Sequence, residues 1–133
     1  MSNNEKDFAP YEEALALKEL GFDEPCNTCY DKLEMVSSYG ASVFDYKNYN
    51  TTGYMVSRPT FSQAFRWFRD KYDIDIDIDV VFSKDDDGIS LKNYKVLIPF
   101  PNELFIAAGL FTTYEEAELA CLKKLIGIAN EQQ

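Results

Sequence analysis

Ile74-Asp75-Ile76-Asp77-Ile78-Asp79-Val80-Val81-Phe82 is the stretch from which the fold is read. Ile74, Ile76, Ile78, Val80 and Phe82 alternate with Asp75, Asp77 and Asp79, the period of a strand with one face on a core and the other in water. Asp85-Asp86-Asp87-Gly88 then turns the chain, because Asp and Gly tolerate the left-handed backbone a hairpin needs. A second strand is predicted over residues 89–98. Pro99-Phe100-Pro101-Asn102 turns again into a third strand over 103–108. Strands joined by tight turns run antiparallel.

Three helices frame this unit. Thr60 and Gln63 form a capping box, in which each side chain satisfies a backbone donor near the other residue. Phe61, Ala64, Phe65, Phe68 and Tyr72 follow as one apolar stripe, with Phe65 and Phe68 at its centre and both expected to be buried. Pro10 opens an earlier helix over 10–20, with Tyr11, Ala14, Leu15 and Lys18 on one face. Gly21 ends it, and Phe22 folds back on Leu17 in a Schellman cap. The last helix starts at Thr113, answered by Glu116, and carries Tyr114, Ala117, Cys121, Leu125 and Ile128 on its buried stripe. Lys123 and Lys124 sit toward its end, where the helix dipole favours positive charge. Between Asp23-Glu24-Pro25 and the second helix lie two short strands, over 26–30 and 33–38, around Asp31-Lys32. A tyrosine-rich loop follows over 39–57, and residues 42–46 allow one more short strand. The order is α-β-β-α-β-β-β-α. The fold class is α+β, a mainly antiparallel sheet of about five strands with three helices against it.

The chain has 133 residues, 46% of them hydrophobic, which suits one domain over residues 10–130 behind a polar tail over 1–9. Thirteen basic residues against 23 acidic leave a net charge of −10. That balance argues against direct nucleic-acid binding and against anionic membranes, both of which need basic surface. No apolar run reaches the ~18 residues of a membrane span. The polar start does not read as a secretory signal. Three cysteines then predict reduced thiols in a cytoplasm. There is no histidine, which removes the commonest acid–base group and metal ligand and any Ser-His-Asp site.

Two motifs carry a resemblance. One is Tyr11-Glu12-Glu13-Ala14-Leu15-Ala16-Leu17-Lys18-Glu19-Leu20-Gly21-Phe22-Asp23-Glu24-Pro25-Cys26. The other is Phe111-x-Thr113-Tyr114-Glu115-Glu116-Ala117-Glu118-Leu119-Ala120-Cys121-Leu122-x-Lys124-Leu125-Ile126. With the helix from Pro59 to Arg69 between them, they resemble short uncharacterised proteins of gut Bacteroidales and their phages or mobile elements. The resemblance covers the three helices, about a third of the chain. It implies a phage or mobile-element origin and action in the host cytoplasm. No activity or site residue comes with it.

Four constellations could carry chemistry. Cys26-x-x-Cys29 resembles half of a zinc or redox motif, but a structural zinc site takes four Cys or His ligands. Read in a strand, the two cysteines face opposite sides, so no metal and no cofactor is expected. Asp75, Asp77 and Asp79 form an acidic face with carboxylates about 7 Å apart. Its alternatives are a solvated sheet face and an imitation of DNA phosphates. Arg66, Trp67 and Arg69 make a basic helix that could stack a base, or could pair with the acidic strand while Trp67 fills the core. Tyr46, Tyr49 and Tyr54 lie in a loop with the composition of binding surfaces. The reading that follows is a small accessory protein, not an enzyme, acting through protein–protein contacts with a partner the sequence does not identify. The alternative is an acidic, DNA-mimic-like inhibitor of a host nucleic-acid-binding or defence protein.

Overall fold

The computed structural model describes residues 3–37, 46–100, 103–106 and 110–132. Among the described residues three helices, α1 (Tyr11–Glu19), α2 (Phe61–Tyr72) and α3 (Tyr114–Glu131), are interspersed with six strands. The strands are β1 (Cys29–Tyr30), β2 (Val36–Ser37), β3 (Val56–Ser57), β4 (Asp77–Lys84), β5 (Ser90–Phe100) and β6 (Glu103–Ile106). The class is α+β, in the order the patterning predicts with β3 added. The strands divide into two three-stranded antiparallel sheets, β2-β1-β3 and β4-β5-β6. The first is made of two-residue strands, too short to show a period in sequence.

Local chemistry sets the helix ends. Pro10 stands at the N-terminus of α1 in extended backbone. At the other end the Phe22 N–H donates to the Leu17 carbonyl at 2.9 Å and the Gly21 N–H to Lys18 at 3.0 Å, a Schellman motif with Gly21 at φ 97°. The Thr60 hydroxyl accepts from the Gln63 N–H at 3.1 Å while the Gln63 side chain accepts from the Thr60 N–H at 3.0 Å. Asp73 closes α2 in the left-handed conformation at φ 57°. The Thr113 hydroxyl accepts from the Glu116 N–H at 3.1 Å and starts α3.

One core joins the elements. Leu17, Phe22, Phe68, Ile74, Val96, Ile98, Leu122 and Leu125 are fully buried in it. Trp67 meets Phe22 edge-on at 5.4 Å and Phe68 at 5.2 Å. α3 packs on β5 and also touches α1 and α2. Of the two aromatics at the centre of the α2 stripe, Phe68 is buried and Phe65 only half-buried, because Phe65 faces a surface cleft.

The expectation of a polar tail over residues 1–9 is corrected for its described part, residues 3–9. Asn3–Asp7 form a 3-10 turn and Phe8 bridges to Thr60. Ala9 is buried, its N–H donating to Pro59 at 2.9 Å and its carbonyl accepting from the Tyr30 hydroxyl at 2.6 Å. The segment holds because apolar Phe8 and Ala9 end it, and Arg58 lies 4.0 Å above the Phe8 ring. The strand expected over 42–46 lies outside the described residues except at Tyr46, as do Pro101 and Asn102 of the last turn.

Candidate binding surface

The β4–β5 hairpin extends past the core as an arm. Its register sets Asp77 opposite Leu97, Ile78 opposite Val96, Asp79 opposite Lys95, Val80 opposite Tyr94 and Phe82 opposite Lys92. Ile78, Val80 and Phe82 therefore share the face of Tyr94, Val96 and Ile98. That face meets α3, where Tyr94 packs edge-on against Tyr114 at 5.6 Å. The apolar face outlasts the core beneath it: Val80 is 46% and Phe82 74% exposed. β4 is an edge strand of its sheet. At the tip the Asp85 carboxylate accepts from the N–H groups of Asp87 (2.9 Å) and Ile89 (2.8 Å). Gly88 takes the left-handed position at φ 79°. The tip is held by hydrogen bonds within the turn rather than by packing.

The acidic face is smaller than its spacing predicts. The ladder starts at Asp77, because the left-handed Asp73 turns Ile74 into the core before the strand begins. Asp75 is thereby separated from Asp77 and Asp79. It lines a cleft of about 360 Å³ with Arg66, Arg69, Ser62, Phe65 and Ile76. Asp77 and Asp79 remain side by side, and a hydrogen bond from the protonated Asp77 carboxyl to Asp79, then the Asp79 charge, raises the Asp77 carboxyl above its usual range. Lys95 across from Asp79 breaks the row of negative charge.

The basic helix loses its aromatic partner. Arg66 and Arg69 are exposed, but Trp67 is buried, with the Lys71 ammonium 4.9 Å over its ring and donating to the Leu20 carbonyl at 3.2 Å. Trp67 is therefore not available to stack on a base. The tyrosines also part company. Tyr49 is buried in a short 3-10 turn, with its N–H donating to the Ser57 hydroxyl at 2.9 Å, so it supplies packing rather than binding surface. Tyr46 and Tyr54 are exposed, at 52% and 58%.

The cysteines are placed for packing. All three are free and buried. Burial pushes the Cys26 and Cys121 thiols up to about 12, far from a reactive thiolate. Cys29 is also raised, by burial and then by Asp31. Among the described residues no three Cys, Asp or Glu side chains converge to hold a metal, and no helix is long and apolar enough to cross a membrane.

A second feature joins the N-terminal turn to α3. Glu5, Lys6, Phe8, Pro10, Phe61, Glu115 and Leu119 line an open groove of about 320 Å³. The Glu116 carboxylate at its rim accepts from the hydroxyls of Thr112 (2.8 Å) and Thr113 (3.0 Å), which lowers its pKa. Glu118 nearby is pushed up to about 7, first by burial and then by Glu115 and Asp7.

The exposed residues of the arm are the ones that sequence reasoning missed. Their signal is Val80-Val81-Phe82, where alternation stops and three apolar residues follow one another. Comparison with protein-family models, curated proteins and solved structures gives no match, so the resemblance of the three helices rests on their motifs alone.

Proposed function

We propose that this chain is a non-catalytic accessory protein that acts through protein–protein contacts, and that the β4–β5 arm is its contact surface. One observation carries the reading: Phe82 is 74% exposed on a strand with a free edge, on the face that elsewhere forms the core. Removing a large apolar side chain from water is worth about 1.5–3 kcal/mol, so a partner gains by covering it. A free edge adds backbone donors and acceptors that an extended segment can pair with. The test places a photo-cross-linking residue at position 82, 46, 54 or 66 in cells that express the chain. Adducts to polypeptide from position 82 are expected. Adducts confined to 46 and 54 would move the surface to Tyr46 and Tyr54.

A second reading, an acidic inhibitor of a nucleic-acid-binding protein, is favoured by the adjacent exposed carboxylates of Asp77 and Asp79. It requires that Asp77 and Asp79 changed together to Asn abolish capture, and that added salt weaken wild-type binding steeply.

A further inference from the structure

The arm's free edge is self-complementary. The Asp85 N–H donates to the Ile89 carbonyl at 3.0 Å, so odd-numbered residues of β4 bond toward β5 and even-numbered residues point the other way. Tyr94 confirms this from the neighbouring strand. It lies opposite Val80 but exchanges both of its backbone bonds with Phe111, at 2.8 and 2.9 Å. Ile78, Val80, Phe82 and Lys84 therefore present their N–H and C=O groups outward along an edge that no strand covers among the described residues.

Resting on the reading of the arm as a contact surface, we propose that its occupant is a second copy of this chain, joined β4 to β4 in antiparallel fashion with Val80 on the two-fold axis. Charge selects the register. With Val80 at the centre, Ile78 faces Phe82 of the second copy, Asp79 faces Val81 and Asp77 faces Ser83. Centring on Ile78 sets Asp77 against Asp79, and centring on Asp79 sets that residue against itself. Centring on Val81 sets Asp77 against Asp85, and centring on Phe82 sets Asp79 against Asp85. Like charges directly opposite destabilise a ladder, and of these registers only the Val80 one keeps both Asp77 and Asp79 away from a carboxylate directly across; the pair that meets there is Asp75 with Asp85, both outside β4.

The same register covers the exposed apolar side chains. Phe82 lies beyond its own core but beside Ile78 of the second copy, which is half-buried at the core of that copy. Val80, 46% exposed, faces itself across the axis. The two sheets become one, with a continuous apolar face toward both α3 helices and with Asp77 and Asp79 on the opposite face. A symmetric dimer needs one patch that complements itself, and a row that is apolar on both sides of Val80 does so.

Sedimentation equilibrium on the full chain at micromolar concentration tests this, with four variants. Val80→Pro removes an outward N–H that β5 does not use, so the arm's own ladder survives. Phe82→Lys removes the apolar contact at an exposed position. Both are expected to weaken self-association by more than about tenfold while far-UV circular dichroism is unchanged. Val80→Cys is expected to form a covalent dimer on mild oxidation, since it meets its own copy at the axis and the native thiols are buried. A wild-type monomer at every concentration overturns the proposal. So does a dimer indifferent to Val80→Pro and Phe82→Lys, or a covalent dimer formed by Val81→Cys in place of Val80→Cys. A monomer whose position-82 cross-linker captures a different protein overturns the second copy and leaves the arm as a contact surface. A monomer that captures nothing at position 82 ends both.

Discussion

Asp31 and Asp85 hold the same position in two hairpins that share no other residue. In each, the N–H of the aspartate donates to the carbonyl four residues on, at 2.8 Å to Met35 and 3.0 Å to Ile89. In each, the carboxylate accepts from the N–H groups two and four residues on. The fourth residue is left-handed in both, Gly88 at φ 79° and Glu34 at φ 63°. Glycine takes that conformation freely, whereas a side chain is strained by about 1 kcal/mol or more. Glu34→Gly is therefore expected to stabilise the protein by up to about 1 kcal/mol, and Gly88→Ala to destabilise it by a similar amount. Urea unfolding of the two variants checks the opposite signs.

Phe65 and Phe68 share a helical stripe but not an environment. Phe68 is fully buried against Trp67 and Tyr72, whereas Phe65 borders the Arg66–Asp75 cleft. Phe68→Ala is expected to cost about 3–5 kcal/mol, the range for an aromatic truncated in a core. Phe65→Ala should cost clearly less. Equal losses in chemical denaturation would show that the stripe is buried along its whole width.

Glu118 makes stability fall with rising pH. Its carboxyl is raised from the ordinary 4.5 to about 7, by burial first and by Glu115 and Asp7 after it. A carboxyl with a higher pKa in the folded chain holds its proton more tightly there. Its contribution is complete below the unfolded value and is lost as pH climbs toward 7. Thermal melts from pH 4.5 to 8 should show that decline, and Glu118→Gln should flatten it. A decline of the same slope in the variant would assign it to other groups.

Cys26, Cys29 and Cys121 are expected to resist alkylation at pH 8 in the native protein and to react together once it is unfolded. They are buried, and Cys26 and Cys121 are pushed up to about 12. Fast labelling of one thiol under native conditions, read by intact mass, would contradict this.

The amphipathic helices were legible because their signals are local. The capping box at Thr60 and Gln63, the Schellman glycine at Gly21 and the cap at Thr113 each satisfy backbone groups within one turn. The site was less legible. Tyr49 and Trp67 look like binding aromatics by composition, but Ser57 fixes the backbone of one, and Lys71 one turn along α2 and Phe22 from a distant part of the chain enclose the other.

The chain's order of elements, its turns and the alternation that makes β4 a strand follow from neighbours in sequence, where spacing and backbone hydrogen bonding act over a few residues. Tertiary structure alone decided where that alternation meets a core. Ile74, Ile76, Ile78, Val80 and Phe82 are equivalent by period, yet Ile74 is buried and Phe82 is 74% exposed. α2 lies against the beginning of the stretch and α3 covers its middle, but the core ends before Phe82 does. Burial depends on what packs above a residue, and of the two helices that do so here α2 adjoins the stretch in sequence while α3 is far from it.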